Sequence, residues 1–521
     1  MKKIATPRLI CTSKIISEKT NRTRTRIKHL QFIGNDHVLK WSLKIDQFRV
    51  YHVWASHKNE KSQPKRENAH DYASLKLLQR LAKQALASND QPTAVELYSR
   101  IIDCLTMRRK RLGVMQQESR GEDFSLEDRA ILYDAYLQRS LCTHSIEDAS
   151  QMIELTPEAF APYYVRGLYY SSQNEKEKAL QDFNKVLKMN PDFSDAYIQR
   201  AKLYYLKFKD NRKAIQDFER AFQLSPKMES IEIYYLRVAH LCTDASQPES
   251  YNLEKANEYM EKALRSLTEK RKAVPLSLYN ELFSCCYELH RYEKALYWAH
   301  QGIKYGSHHG PQDHPSTEEH YNHSMSMLYY HRGNLLWHQR FKRQDLAIRD
   351  LEKALSFSPN NIQALLQLAL LYLRMESSGL GSNVLQQISE LLDRAENELN
   401  RNTSMTSDQQ NEDDSSSSKG ENHSWNVHYS TLYSLKGQLY LTKNSMENAM
   451  EHVNRALQIF PDSELAYFIR GLGYVKSKEL LEKARQDFEQ ALTISRRGGI
   501  IFTEDEIKEM IQNVWPDFFS S

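Results

Sequence analysis

The stretch 161–191, APYYVRGLYYSSQNEKEKALQDFNKVLKMNP, is followed at once by a near copy, DAYIQRAKLYYLKFKDNRKAIQDFERAFQLSP, at 195–226. A third version, AYFIRGLGYVKSKELLEKARQDFEQALTIS, stands at 466–495. Within 161–191 the residues Tyr163, Tyr164, Gly167, Leu168 and Tyr170 fall at helical spacing. A polar turn follows, and a second helix presents Ala179, Leu180, Phe183, Val186 and Leu187 on one face until Pro191 stops it. Gly167 and Ala179 are small where two helices must approach, and Tyr163, Tyr170 and Phe183 fill the space around them. Such a hairpin cannot bury its own apolar face and must stack on a neighbour.

The neighbours are present. Tyr197, Ala201, Tyr204, Ala214, Phe218, Ala221 and Pro226 take the same roles in the next unit. So do Tyr329, Gly333, Leu336, Ala347, Leu351, Ala354 and Pro359, then Tyr433, Gly437, Tyr440, Ala449, Val453, Ala456 and Pro461. Tyr467, Gly471, Tyr474, Ala484, Phe488 and Ala491 close the series. Small and aromatic residues in this order, ended by Pro at a period near ~34, resemble the tetratricopeptide repeat (TPR).

Weaker copies extend the pattern: Leu78, Ala82, Ala94 and Tyr98; the degenerate 126–157; Tyr235 to Ala263; 276–304 around Tyr279 and Ala295; and 362–398 around Leu365 and Ala369. The resemblance covers roughly 70–398 and 426–495, about ten units. It implies an all-α fold, a right-handed superhelical solenoid of antiparallel helix hairpins whose first helices line a concave groove. By that resemblance the groove carries Tyr164, Leu168, Ile198, Lys202, Tyr205, Leu236, His240, Tyr330 and Asn334. Leu366, Leu370, Gln438, Phe468 and Leu472 continue it.

The expected organisation is a basic N-terminal arm at 1–66, a TPR-like array at 67–399, a disordered acidic and Ser-rich insert at 400–425, two further units at 426–499, and a capping helix with tail at 500–521. The arm holds 16 Lys/Arg and 4 Asp/Glu, leaving 55 and 63 for the rest, so the overall +4 conceals a basic terminus on an acidic body. It reads as a poorly ordered arm or a targeting segment, and 37–54 alternates like a short strand pair. The insert runs NRNTSMTSDQQNEDDSSSSKGENHS, too polar to offset ordering. The His-rich 306–324 matches no metal-ligand spacing and reads as a solvated, flexible loop. RRKR at 108–111 reads as a charged helix end, with an import signal as the alternative. At the C-terminus Thr503 and Glu506 form a capping box before the stripe Ile507, Met510, Ile511 and Val514. That segment either covers the last hairpin or places Trp515, Phe518 and Phe519 in the groove.

Six cysteines without a C-x-x-C pair fit a reducing compartment, with Cys285 and Cys286 as buried fillers. No apolar run reaches the ~18–20 residues that span a bilayer. A cytoplasmic protein is expected, with nuclear or mitochondrial placement as alternatives. No phosphate loop, nucleophile elbow or H-E-x-x-H occurs, so no catalytic, cofactor or metal residues are assigned. Nothing marks a strong nucleic-acid surface, and the oligomeric state stays open. The expected function is a non-catalytic scaffold binding a peptide or partner helix in the groove.

The alternative is a chaperone-linked or import receptor-type TPR protein. TPR co-chaperones grip a C-terminal carboxylate with Lys, Asn and Arg. Gln79 and Lys83, Ala161 and Val165, and Asp195 and Gln199 stand at the corresponding places here, so that grip is missing from the best-aligned units.

Overall fold

The computed structural model describes residues 69–116, 125–313, 317–337, 343–374, 382–408, 418–477, 480–497 and 501–519. Every regular element among these residues is helical. They divide into two compact units, one ending at Ile231 and one running from Glu232. The N-terminal unit stacks four hairpins: α1 (Ala69–Ala87) with α2 (Gln91–Gln116), α3 (Leu126–Thr143) with α4 (Ile146–Leu155), α5 (Phe160–Ser172) with α6 (Lys176–Met189), and α7 (Ser194–Leu203) with α8 (Asn211–Leu224).

The C-terminal unit stacks six. They are α9 (Ile231–Cys242) with α10 (Leu253–Glu269), α11 (Leu276–Glu288) with α12 (Tyr292–His308), and α13 (Glu318–Trp337) with α14 (Gln344–Phe357). Then come α15 (Ile362–Arg374) with α16 (Ser382–Asp408), α17 (Ser418–Thr442) with α18 (Met446–Ile459), and α19 (Glu464–Ser477) with α20 (Leu481–Arg496). A final helix, α21 (Glu504–Val514), starts at the expected capping box: Thr503 N donates to Glu506 Oε2 at 2.8 Å, and Glu506 N to Thr503 Oγ1 at 3.3 Å.

Two expectations are corrected. The insert expected at 400–425 is helical at both ends, through Asp408 and again from Ser418. Extending a helix from a packed turn is far easier than nucleating one, so α16 and α17 run into polar sequence. The His-rich 306–324 is likewise helical at both ends, because α12 reaches His308 and α13 begins at Glu318. The basic arm and the strand pair expected at 37–54 lie outside the described residues.

Several hairpins close on a glycine. A Cβ added to Gly167 would stand 2.9 Å from a Phe183 ring carbon, and one on Gly471 would stand 2.6 Å from Phe488. Both rings are fully buried, so neither can retreat. The turns that follow rely on left-handed residues such as Asn89, Asn174 and Asn444, a conformation that asparagine tolerates well. In the α7–α8 hairpin the turn holds one more residue than in α5–α6. The surplus is taken up as a π turn at Tyr204–Phe208, with Lys209 left-handed after it.

A bidentate ion pair recurs across the stack. In five hairpins an Arg of the first helix donates through Nε and Nη2 to an Asp of the second at 2.6–2.8 Å: Arg139–Asp148, Arg166–Asp182, Arg200–Asp217, Arg332–Asp350 and Arg470–Asp487. In each, Nη1 reaches back to the preceding hairpin's second helix, at Ser99, Ser150, Asn184, His300 and Asn454 respectively. A Tyr three residues earlier lies 5.3–5.8 Å under each guanidinium. One side chain thus fixes its own hairpin and ties it to its predecessor. The separation from Arg to Asp is 16, 17, 18 and 17 residues in the four full hairpins, following turn length. In α3–α4 it is nine, seven short of 16, which removes nearly two helical turns and keeps the Arg on the same face.

The Asp side chains of these pairs are 5–10% exposed, so removing the cation strands a buried carboxylate. Arg200→Met is expected to cost about 2–4 kcal/mol, and Arg200→Lys to recover less than half, because an ammonium cannot form the fork. Urea unfolding followed by circular dichroism checks both; equal stability of Arg200→Lys and wild type would remove the bidentate geometry from the account.

In the C-terminal unit, Glu232 in the first turn of α9 is buried, which alone would raise its pKa. Hydrogen bonds from Lys270 and Lys272 outweigh this and hold it down at about 2. The unfolded carboxyl titrates near 4.5. Its stabilising contribution is therefore full above pH 4.5 and is lost as pH falls toward about 2. The two lysines are 38% and 45% exposed, so solvent screening limits the contribution to about 1–2 kcal/mol. Glu232→Gln should lower Tm at pH 7 and lose that deficit progressively as pH falls from 4.5 toward about 2, measured by calorimetry.

Candidate partner-binding face

Taking 100° per residue, the recurring Arg and the residue two positions after it lie about 200° apart around a first helix. The Arg flank faces the second helices. The opposite flank holds Tyr164 and Leu168 on α5, Ile198 and Lys202 on α7, Leu236 and His240 on α9, and Tyr330 and Asn334 on α13. Tyr205 follows one turn after Lys202, inside the π turn.

The N-terminal unit sorts its candidates by burial. Tyr164 is 8% and Ile198 4% exposed. Tyr164 meets the edge of Phe193 at 5.0 Å and lies 6.1 Å from Phe183, so it belongs to packing between hairpins. Leu168, Lys202 and Tyr205 are half-buried and keep surface toward solvent. In the C-terminal unit Leu236, His240, Tyr330 and Asn334 are half-buried. His240 Nε2 lies 3.0 Å from Glu281 Oε2 on α11, which ties that position to the next hairpin.

Farther along, the same flank converges on a cleft of about 210 Å³. Leu370, Leu373 and Arg374 of α15, Gln438 of α17, and Leu465, Phe468 and Leu472 of α19 form one wall. Phe502 and, from α21, Met510, Asn513 and Val514 form the other. The last helix thus faces first helices of three successive hairpins across the cleft and touches one of them where Arg374 meets Met510. It also covers the end of the stack, where Phe518 packs edge-on to Phe488 at 5.7 Å under Arg485. Phe518, named as a groove candidate, therefore packs on α20, and Phe519 is 49% exposed.

Two sets of residues escaped the sequence reading. The Arg–Asp pairs were signalled by Tyr-x-x-Arg in first helices and by Gln-Asp-Phe in three of the second helices. Arg374 was signalled by following the inner flank one turn past Leu370. Its guanidinium carbon lies 4.7 Å over the Trp337 ring and 4.4 Å over the Phe502 ring.

Among the described residues no group of three or more His, Cys, Asp or Glu side chains is placed to hold a metal ion, and no helix is long and apolar enough to cross a membrane. Family models described as tetratricopeptide repeat match residues 161–193, 194–228 and 430–463. The chain carries tetratricopeptide repeats over these residues. Over 53 residues this TPR protein is 43% identical to a tetratricopeptide repeat and J domain-containing co-chaperone, DNJ1, of Cryptococcus neoformans var. grubii. That match spans 10% of each chain. Among solved structures, a tetratricopeptide repeat protein from Parabacteroides merdae is 17% identical, with TM-score 0.30 over 57% of this chain and 99% of that one. A TPR protein from Cytophaga hutchinsonii is 13% identical, with TM-score 0.38 over 58% and 97%.

The cysteines of the TPR protein's C-terminal unit are packing groups. Burial pushes the Cys285 thiol up to about 12 and Cys286 up to about 11. Their sulfurs donate to Leu253 O at 3.0 Å and Asn257 Oδ1 at 3.2 Å. A thiol reagent at pH 8 should therefore label the exposed Cys104 at least tenfold faster than Cys285 or Cys286, read by peptide mass spectrometry.

Proposed function

We propose that this TPR protein is a non-catalytic interaction scaffold whose first helices present an inner flank to a peptide or helix of another protein. The observation that carries the reading is α21: in the C-terminal unit, matching positions on three successive first helices face a helix across one cleft, and Arg374 of α15 touches its Met510. In the N-terminal unit Leu168, Lys202 and Tyr205 occupy the equivalent flank and offer an apolar, aromatic and cationic strip to a partner. Tyr164 and Ile198 support that strip from beneath.

The chaperone-linked reading has one specific support, the short identity to a co-chaperone. It is weakened by Ala161 and Val165 where a carboxylate grip needs cations. A cytoplasmic location agrees with either reading.

Leu168→Asp with Lys202→Glu changes two half-buried positions of that strip. Cross-linking and mass spectrometry should then show loss of a discrete set of partners at unchanged helicity. Retention of every partner would overturn the inner-flank assignment in this unit. A requirement for a partner's free C-terminal carboxylate would favour the chaperone-linked reading, whereas recognition of an internal segment would favour the scaffold.

A further inference from the structure

The second wall of the C-terminal cleft is made by the chain itself, and it fits imperfectly. An end cap needs to touch only the last hairpin. Yet α21 reaches Arg374 of α15, 136 residues away in sequence, where a guanidinium N–H points at Met510 Sδ. A thioether is a weak acceptor for a cation that normally takes carboxylate oxygens. Burial pushes Arg374 down to about 10, opposed by the nearby charges of Glu506 and Glu509. Among the described residues no carboxylate lies within hydrogen-bonding distance of it. Glu506 is committed elsewhere, accepting from both the backbone and the hydroxyl of Thr503. The seat is therefore chemically half-filled: a cation between two aromatic rings, an unfilled cleft of about 210 Å³ beside it, and a sulfur where an anion would sit.

We propose that α21 is a displaceable internal occupant of this face, and that its external ligand is an amphipathic helix presenting a carboxylate to Arg374 and apolar side chains to Leu370, Phe468 and Leu472. The ligand's pattern can be read from α21: Ile507, Met510, Ile511 and Val514 make an apolar stripe, with Glu509 on its border. The ligand differs from α21 in delivering its carboxylate directly to the guanidinium, an interaction the resident helix leaves unmade. Since an 11-residue helix is marginal alone in water, α21 should lose helicity when displaced. Occupancy by α21 lowers the apparent affinity of any outside helix by the fraction of time the seat is open. This deepens the scaffold reading and rests on it, but involves a surface that the Leu168 and Lys202 substitutions do not touch.

The test uses the full chain and a fluorescein-labelled synthetic peptide of sequence 501–519. Wild type should bind the peptide weakly. Ile507→Asp with Ile511→Asp, which releases the internal copy, should bind it at least tenfold more tightly by fluorescence anisotropy. A peptide carrying Met510→Glu, which puts a carboxylate where the sulfur stands, should bind that variant at least fivefold more tightly than the native sequence, and adding Arg374→Gln to the variant should remove the gain. A folded, released variant that fails to bind would overturn the proposal, as would binding indifferent to Arg374. Should the released variant not fold, amide hydrogen exchange of the wild-type chain decides: segment 504–514 exchanging at least tenfold faster than 481–496 supports an independently opening occupant, and equal rates identify a permanent cap and overturn it. Either failure leaves partner binding by the N-terminal unit standing as a separate result.

Discussion

The guanidinium of the recurring Arg is the group on which the stack depends. A helix hairpin offers little that specifies how it meets the next one, because apolar faces pack in several registers. The Arg fork removes that freedom. Two of its nitrogens fix the angle between first and second helix through an Asp, and a third finds a Ser, Asn or His on the hairpin before. The Tyr beneath keeps the fork from swinging toward solvent. Gly167 and its equivalents set the distance of closest approach, and the Arg sets the direction.

Where the Arg is replaced, the pairing changes. Gly437 is preceded by Lys436, which reaches only back to Asp393 and Glu396 of α16, while His452 of its own second helix stacks between Tyr433 and Tyr440. Val238, Leu282 and Leu368 stand at the position in other C-terminal hairpins and pack there as apolar residues. The N-terminal unit therefore relies more on polar ties between hairpins, and the centre of the C-terminal unit more on aliphatic burial. The inner flank in the second case is correspondingly apolar, which is where α21 finds its seat.

Much of this was legible from the residues. The small–aromatic–proline order fixes helix periodicity and the need to stack, and the hairpins appear where it places them. The capping box at Thr503 is a local rule and needs no tertiary information. What could not be read was anything decided between distant segments. Tyr164 and Ile198 look like surface positions on a helical wheel, but both are buried, Tyr164 under Phe193 from the adjoining turn. Polar composition suggested irregular chain at 400–408, yet helix propagation from packed residues prevailed. The meeting of Arg374 with Phe502 and Met510 joins residues more than a hundred positions apart and leaves no periodic trace.

The varying Arg-to-Asp separation has a further consequence. Because the residue added to the α7–α8 turn is absorbed there by a π turn, the neighbouring hairpins do not register the change. Length variation is channelled to one rim of each hairpin, while the Arg, Asp and small residues hold the stacking surface constant. An inserted tag, a protease site or a regulatory sequence acquired at such a rim would alter what the protein displays and leave untouched how it stands up.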